Sequence, residues 1–153
     1  MDALGVLKRC PFVRDLSDEQ LKIVAKLAKK KTYEVGEPLV KQGRTSEKIF
    51  LVEEGLVGIY LEVGPITQRL LQSASNYEVV GWTSMLPPYR ALSTVKAIET
   101  TTVLVINAKD LINLCDQNTE IGNKVHRGLA SLIALRLHNA FTQLMGVTAQ
   151  DVG

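Results

Sequence analysis

A chain of 153 residues, 46% hydrophobic and 22% charged, is the size of one domain and carries enough apolar material to bury a core, which excludes a disordered or collagen-like polymer. Its net charge of +2 is too small to argue for nucleic acid or an acidic membrane surface as partner. No apolar run reaches the length of a membrane span, Met1-Asp2-Ala3-Leu4 lacks the basic start of a signal peptide, and Cys10 and Cys115 form no CxxC pair, so a single cytoplasmic domain with reduced thiols is expected.

Leu4–Lys8 is a short amphipathic start closed by Pro11. The next helix is signposted by Ser17 as N-cap, Gln20 three residues on to complete a capping box, and Leu16 with Leu21 placed to staple the entry. Leu21, Val24, Ala25 and Ala28 then repeat at helical spacing, which predicts a helix running on into Lys29-Lys30-Lys31, where three cations suit the negative end of the helix dipole.

From Tyr33 the period changes to two, and turn residues interrupt it every few positions. The expected strands are Leu39–Gln42, Ile49–Val52, Val57–Leu61, Ile66–Gln72, Tyr77–Val80, Ala91–Ile98 and Thr102–Ile106, with turns at Gly36-Glu37-Pro38, Gly43-Arg44-Thr45-Ser46, Glu53-Glu54-Gly55 and Gly64-Pro65. Nothing helical fits between them, so parallel βαβ units are excluded and an all-β sandwich or barrel is expected.

The stretch Glu78–Val95 departs most from this alternation. A strand breaks at Gly81, Trp82–Met85 has room for one helical turn, Pro87-Pro88 stops it, and the chain re-enters a strand near Leu92. A glycine leading into a helical turn leaves backbone N–H groups without partners, and such a nest suits an anion. Thr83 and Ser84 lie in that turn and Arg90 on the far side of the proline pair, which makes a phosphate or carboxylate clamp a candidate. The same residues also describe a capped connector between two strands with a surface arginine.

After Ile106 the pattern is helical. Asn107 is placed as an N-cap with Asp110 at the third position, and a break at Gln117-Asn118-Thr119 precedes a last helix over about Glu120–Met145. At 1.5 Å per residue that helix is roughly 39 Å long, more than a small β domain needs for cover. Ala130, Ile133, Leu137, Ala140 and Leu144 follow three-four spacing, while Val125, Leu132 and Leu135 lie on another stripe extended by Phe141 and Met145. A helix apolar on two sides is buried on two sides, so one stripe is expected to cover the domain and the other a second copy's helix, making a homodimer.

Taken together these segments resemble the cyclic-nucleotide-binding domain family. Leu16-Ser17-Asp18, Gly36-Glu37-Pro38, Gln42-Gly43, Ile49-Phe50-Leu51-Val52 before Gly55, and then Gly81, Arg90, Ala91, Ser93, Thr94 and Val95 match the family pattern in kind from about Leu7 to Leu144. The resemblance implies a catabolite activator protein-like double-stranded β-helix (a jelly-roll or β-roll) over about residues 31–107. Flanking N-terminal helices and C-terminal helices over about 108–146 complete one domain of residues 1–146, with 147–153 a short tail. It also implies a regulatory role with a cyclic nucleotide, cAMP or cGMP, on a phosphate-binding cassette comprising Gly81, Trp82, Thr83, Ser84, Arg90, Ala91, Ser93 and Thr94.

The cassette is altered. Trp82 stands where the family has a glutamate that grips the ribose 2′-hydroxyl, and Arg90 arrives one residue early counting back from Val95. Losing a charged acceptor costs about 1–3 kcal/mol, or about fivefold to hundredfold in affinity, so weak cyclic-nucleotide binding at a site still preferring an anion is expected. The alternative is a degenerate roll acting as a dimerisation or protein-interaction module. Family members that regulate transcription carry a helix-turn-helix after the long helix; Val147–Gly153 is too short for one, so DNA binding within this chain is not expected.

Enzymatic signatures are missing. The two histidines, His126 and His138, lie twelve residues apart on the final helix, too far to share an ion within one chain. Glu53 and Glu54 are adjacent in a strand and point to opposite faces. No Gly-x-Ser-x-Gly elbow, P-loop or Gly-x-Gly-x-x-Gly occurs. A non-enzymatic, metal-free regulatory domain is expected.

Overall fold

The computed structural model describes residues 1–152, with side chains placed through Gly146. Of the expected tail, Gly153 lies outside the described residues.

Local chemistry sets the N-terminal helices. Asp2 caps α1 (Ala3–Leu7), and a 3₁₀ turn at Pro11–Val13 follows with proline in its first position. α2 (Asp18–Ala25) carries the full capping box: Ser17 Oγ accepts from the Gln20 amide, and Gln20 Oε1 accepts from the Ser17 amide.

α2 ends sooner than its apolar spacing predicts. Ala28 and Lys29-Lys30-Lys31 belong to β1 (Ala28–Tyr33), not to a helix C-terminus. The reason is tertiary, because every residue of β1 pairs with one of β8 (Thr101–Asn107), from Ala28 opposite Ile106 to Tyr33 opposite Thr101. β1 is an edge strand, and lysines there discourage pairing with another chain. Two of them have partners: Lys30 bonds Glu53 at 3.0 Å, and Lys31 Nζ sits 4.7 Å from the Tyr33 ring centroid.

The remaining strands are β2 (Pro38–Val40), β3 (Lys48–Glu54), β4 (Val57–Glu62), β5 (Gln68–Ala74), β6 (Val79–Val80) and β7 (Thr94–Ala97). They form two antiparallel four-stranded sheets in the orders β1-β8-β3-β6 and β2-β7-β4-β5, the β-roll that the resemblance implied. The apolar runs Ile49–Val52 and Val103–Ile106 show why the first sheet is covered on both faces. Phe50, Val52 and Val103 point into the roll, while Ile49, Leu51, Leu104 and Ile106 point outward into a second core shared with the helices.

That second core is completed by α3 (Ala108–Gln117), capped by Asn107 Oδ1 on the Asp110 amide, and by α4 (Thr119–Val152). α4 continues past Met145 through most of the stretch expected to be a tail. Its buried residues Ile121, Val125 and Leu129 face the outer core, and Gly128 brings it against the carbonyl of Phe12. Farther along, Gln143 donates to the Leu71 carbonyl, so α4 also crosses β5.

The expected seam divides between two environments. Ile133 packs against the domain's own core and Ala140 is half-buried, whereas Ala130, Leu137 and Leu144 are exposed. With Ala134 and Phe141 these exposed residues make a stripe with alternating four- and three-residue steps, flanked by exposed Leu135 and Met145.

Candidate functional site

The site begins at Gly81, which follows β6 with φ 80° and ψ 20°, a left-handed conformation that glycine adopts freely. A side chain there would also meet the Lys48 carbonyl 2.8 Å away, so the position is closed to other residues on two grounds. The expected helical turn forms as a 3₁₀ turn over Trp82–Met85. Ser84 is buried, its hydroxyl donating to the Gly81 carbonyl at 2.7 Å, so it braces the turn.

Arg90 does not face the turn. The peptide between Pro87 and Pro88 is cis, Tyr89 sits at φ 61°, and Arg90 forms an isolated antiparallel bridge with Thr45. That bridge carries the side chain to the Gly43–Ser46 loop, where Nη1 donates to the Gly43 carbonyl at 3.0 Å in an exposed position. The neighbouring backbone is held likewise: Ala91 N donates to the Arg44 carbonyl, and Gly43 N donates to the Ala91 carbonyl. Thr94 is buried on β7, and its hydroxyl accepts from the Gln42 amide at 3.0 Å.

Gly81, Trp82, Thr83, Ala91 and Ser93 do come together, around a cavity of about 170 Å³. Apolar side chains from β2, β4, β5, β6 and β7 form most of its wall. Arg90, Ser84 and Thr94 are not part of the lining. The arginine in this cavity is Arg136 of α4, which sequence reasoning missed.

Arg136 is only 8% exposed. Its Nη2 donates to the Val79 carbonyl at 2.9 Å and lies 3.8 Å from Glu78 Oε2. Nη1 reaches Gln72 Oε1 at 3.5 Å, and Gln72 Nε2 in turn donates to the Arg136 carbonyl at 3.1 Å. Burial draws the guanidinium's pKa below its ordinary value, with Glu78 opposing that shift. A signal was present in the sequence: Ile133, Arg136 and Ala140 share one stripe, and a cation between two core-facing apolar residues has to find polar partners inside.

The profile of the cyclic nucleotide-binding domain matches residues 30–118, more than half of the chain. The chain belongs to the cyclic nucleotide-binding domain family. This cyclic nucleotide-binding domain is similar to the cyclic AMP receptor protein of Thermus thermophilus, at 24% identity over 138 residues, covering 90% of this chain and 62% of that relative. It therefore spans less than two thirds of the relative's length. Among solved structures, a Geobacter metallireducens chain named for cyclic nucleotide binding superposes with a TM-score of 0.79 at 25% identity, covering 90% of this chain and all of that one. A cyclic nucleotide-binding domain from Methylobacillus flagellatus superposes with a TM-score of 0.81 at 17% identity, over 94% and 81% of the two chains, which is a likeness of fold.

The turn after β6 and the segment leading into β7 border the cavity. The charged groups of the cavity differ from what the family resemblance implied. Trp82 brings no carboxylate, Arg90 is bonded to Gly43, and the guanidinium present comes from α4. These residues fit a cyclic nucleotide poorly, since no acid is present for the sugar hydroxyl and the expected phosphate partner is engaged elsewhere. Among the described residues no cluster of three or more His, Cys, Asp or Glu is placed to hold a metal, and no helix is long and apolar enough to cross a membrane.

Proposed function

We propose that the chain is a ligand-sensing regulatory domain whose small anionic effector occupies the cavity beneath the Gly81–Met85 turn, with α4 carrying the response. The observation that supports this most is the cavity's composition: the turn and the roll supply all of its walls but one, and α4 supplies the last through Arg136. A ligand touching both bodies biases how the helix sits on the roll, which is the minimum a sensor requires. No catalytic step is part of this reading.

Cyclic nucleotides are expected to bind weakly. Calorimetry with cyclic AMP and cyclic GMP should show affinity gained by about fivefold to hundredfold on Trp82→Glu, corresponding to about 1–3 kcal/mol for a restored charged acceptor. Tight binding by the unmodified chain would refute the argument from Trp82. Absence of any gain would favour a second reading, a roll that has kept its shape as an interaction module without ligand. Trp82 gives that reading its own support, because the indole is half-buried and packs against the outer core.

Both readings share a homodimer through α4. Leu137 is 51% and Phe141 55% exposed on a stripe spaced for helix pairing, with Ala130 and Ala134 small enough to let a second helix approach. Leu137→Glu with Phe141→Glu would place unpaired charge in the seam and is expected to convert the dimer to monomer in sedimentation velocity. A monomeric unmodified chain at the same concentration removes the proposal.

A further inference from the structure

We propose that the anion is held by Arg136, and not by Arg90, and that the effector is a small oxyanion carried on an apolar body. This deepens the ligand-sensing reading and rests on it. The starting observation is an unsatisfied donor: Arg136 Nε is buried and has no hydrogen-bond partner, although the residue lines an open cavity. Buried polar groups without partners are rare, and one on a cation at a cavity wall marks where an acceptor is missing.

The rest of the guanidinium is held in place, and its ion pair with Glu78 is long. Its partner for Nη2 is the neutral Val79 carbonyl, the Gln72 contact is long, and Glu78 stands 3.8 Å off with its side chain 43% exposed to water. A guanidinium fixed in this way, with Nε unpaired, has a charged donor left for an oxygen of a carboxylate or phosphate. Arg136 is also the one charged side chain lining the cavity among the described residues. Val40, Ile59, Leu71 and Val95 give the lining an apolar share that suits hydrocarbon. The anion-holding group thus sits on α4 itself, the helix carrying the exposed Leu137–Phe141 stripe.

Hexanoate, hexyl phosphate and hexan-1-ol separate the parts of the proposal. Each is titrated into the full chain labelled with ¹⁵N-arginine, following the Arg136 Nε–H resonance and the fluorescence of Trp82, the single tryptophan. Saturable movement of the Nε–H signal with hexanoate or hexyl phosphate, and none with hexan-1-ol, is expected; the stronger of the two anions identifies the headgroup. Arg136→Gln should weaken that binding at least tenfold, and Arg90→Gln should leave it within twofold. The resonance is read on the unmodified chain, so the outcome does not depend on the variant folding. Saturable anion binding that leaves Nε unmoved and is lost in Arg90→Gln overturns this inference while the sensing reading stands. No saturable binding of either anion to the unmodified chain overturns the sensing reading itself.

Discussion

Replacing Gly128 with alanine is expected to destabilise the domain by about 3 kcal/mol, although the same change in an ordinary exposed helix gains roughly 1 kcal/mol. The sign reverses because of one contact. A Cβ on Gly128 would lie 1.9 Å from the Phe12 carbonyl oxygen, and that oxygen is backbone that cannot swing aside. The Pro11–Val13 turn is itself pinned by the buried side chains of Phe12 and Val13. Relief therefore requires α4 to lift, which withdraws Val125 and Leu129 from the outer core. Urea unfolding should show the midpoint falling by roughly 1–3 M at the slopes usual for small domains. Gly146→Ala is the internal control, since nothing lies within 4 Å of a Cβ there. Stabilisation by Gly128→Ala would mean that helix and turn are not docked as described.

Leu104→Ala is expected to cost about 2–5 kcal/mol, a large share of the roughly 5–15 kcal/mol that holds a typical domain together. Leu104 is 0% exposed on β8, which lies between β1 and β3, and it sits opposite Leu51 in the register. Its side chain belongs to the core that joins the first sheet to the helices, so truncation leaves a cavity bounded by elements from both ends of the chain. Ile66→Ala, at 96% exposure, should change stability by less than about 0.5 kcal/mol. Equal effects from the two substitutions in thermal or urea unfolding would contradict the two-core description.

Several elements were legible in the sequence because the interactions that define them are local. Ser17 with Gln20 and Asn107 with Asp110 are caps spanning three residues, and each forms as its spacing predicts. The strand ends at Gly81, where the break before Trp82–Met85 was expected. The alternation after Tyr33, interrupted by turn residues, described the short strands of an all-β roll.

What failed to show in the sequence depends on partners far along the chain. Ala28–Lys31 continues a helical apolar pattern and becomes a strand only because β8 supplies hydrogen bonds more than seventy residues away. Arg90 looks like a phosphate partner in its own segment, but its bridge to Thr45 and the Gly43 carbonyl turn it elsewhere. Arg136 reads as one polar residue on a long helix until the fold brings Gln72 and Val79 to it. The caps and turns were legible because they follow from propensities and spacings within a few residues, and the family from motifs spread from about Leu7 to Leu144. Which arginine enters the cavity was settled by packing. The stripe of Ile133 and Ala140 turns Arg136 inward, but its partners are whichever carbonyls and amides remain unpaired once the sheets and α4 have packed.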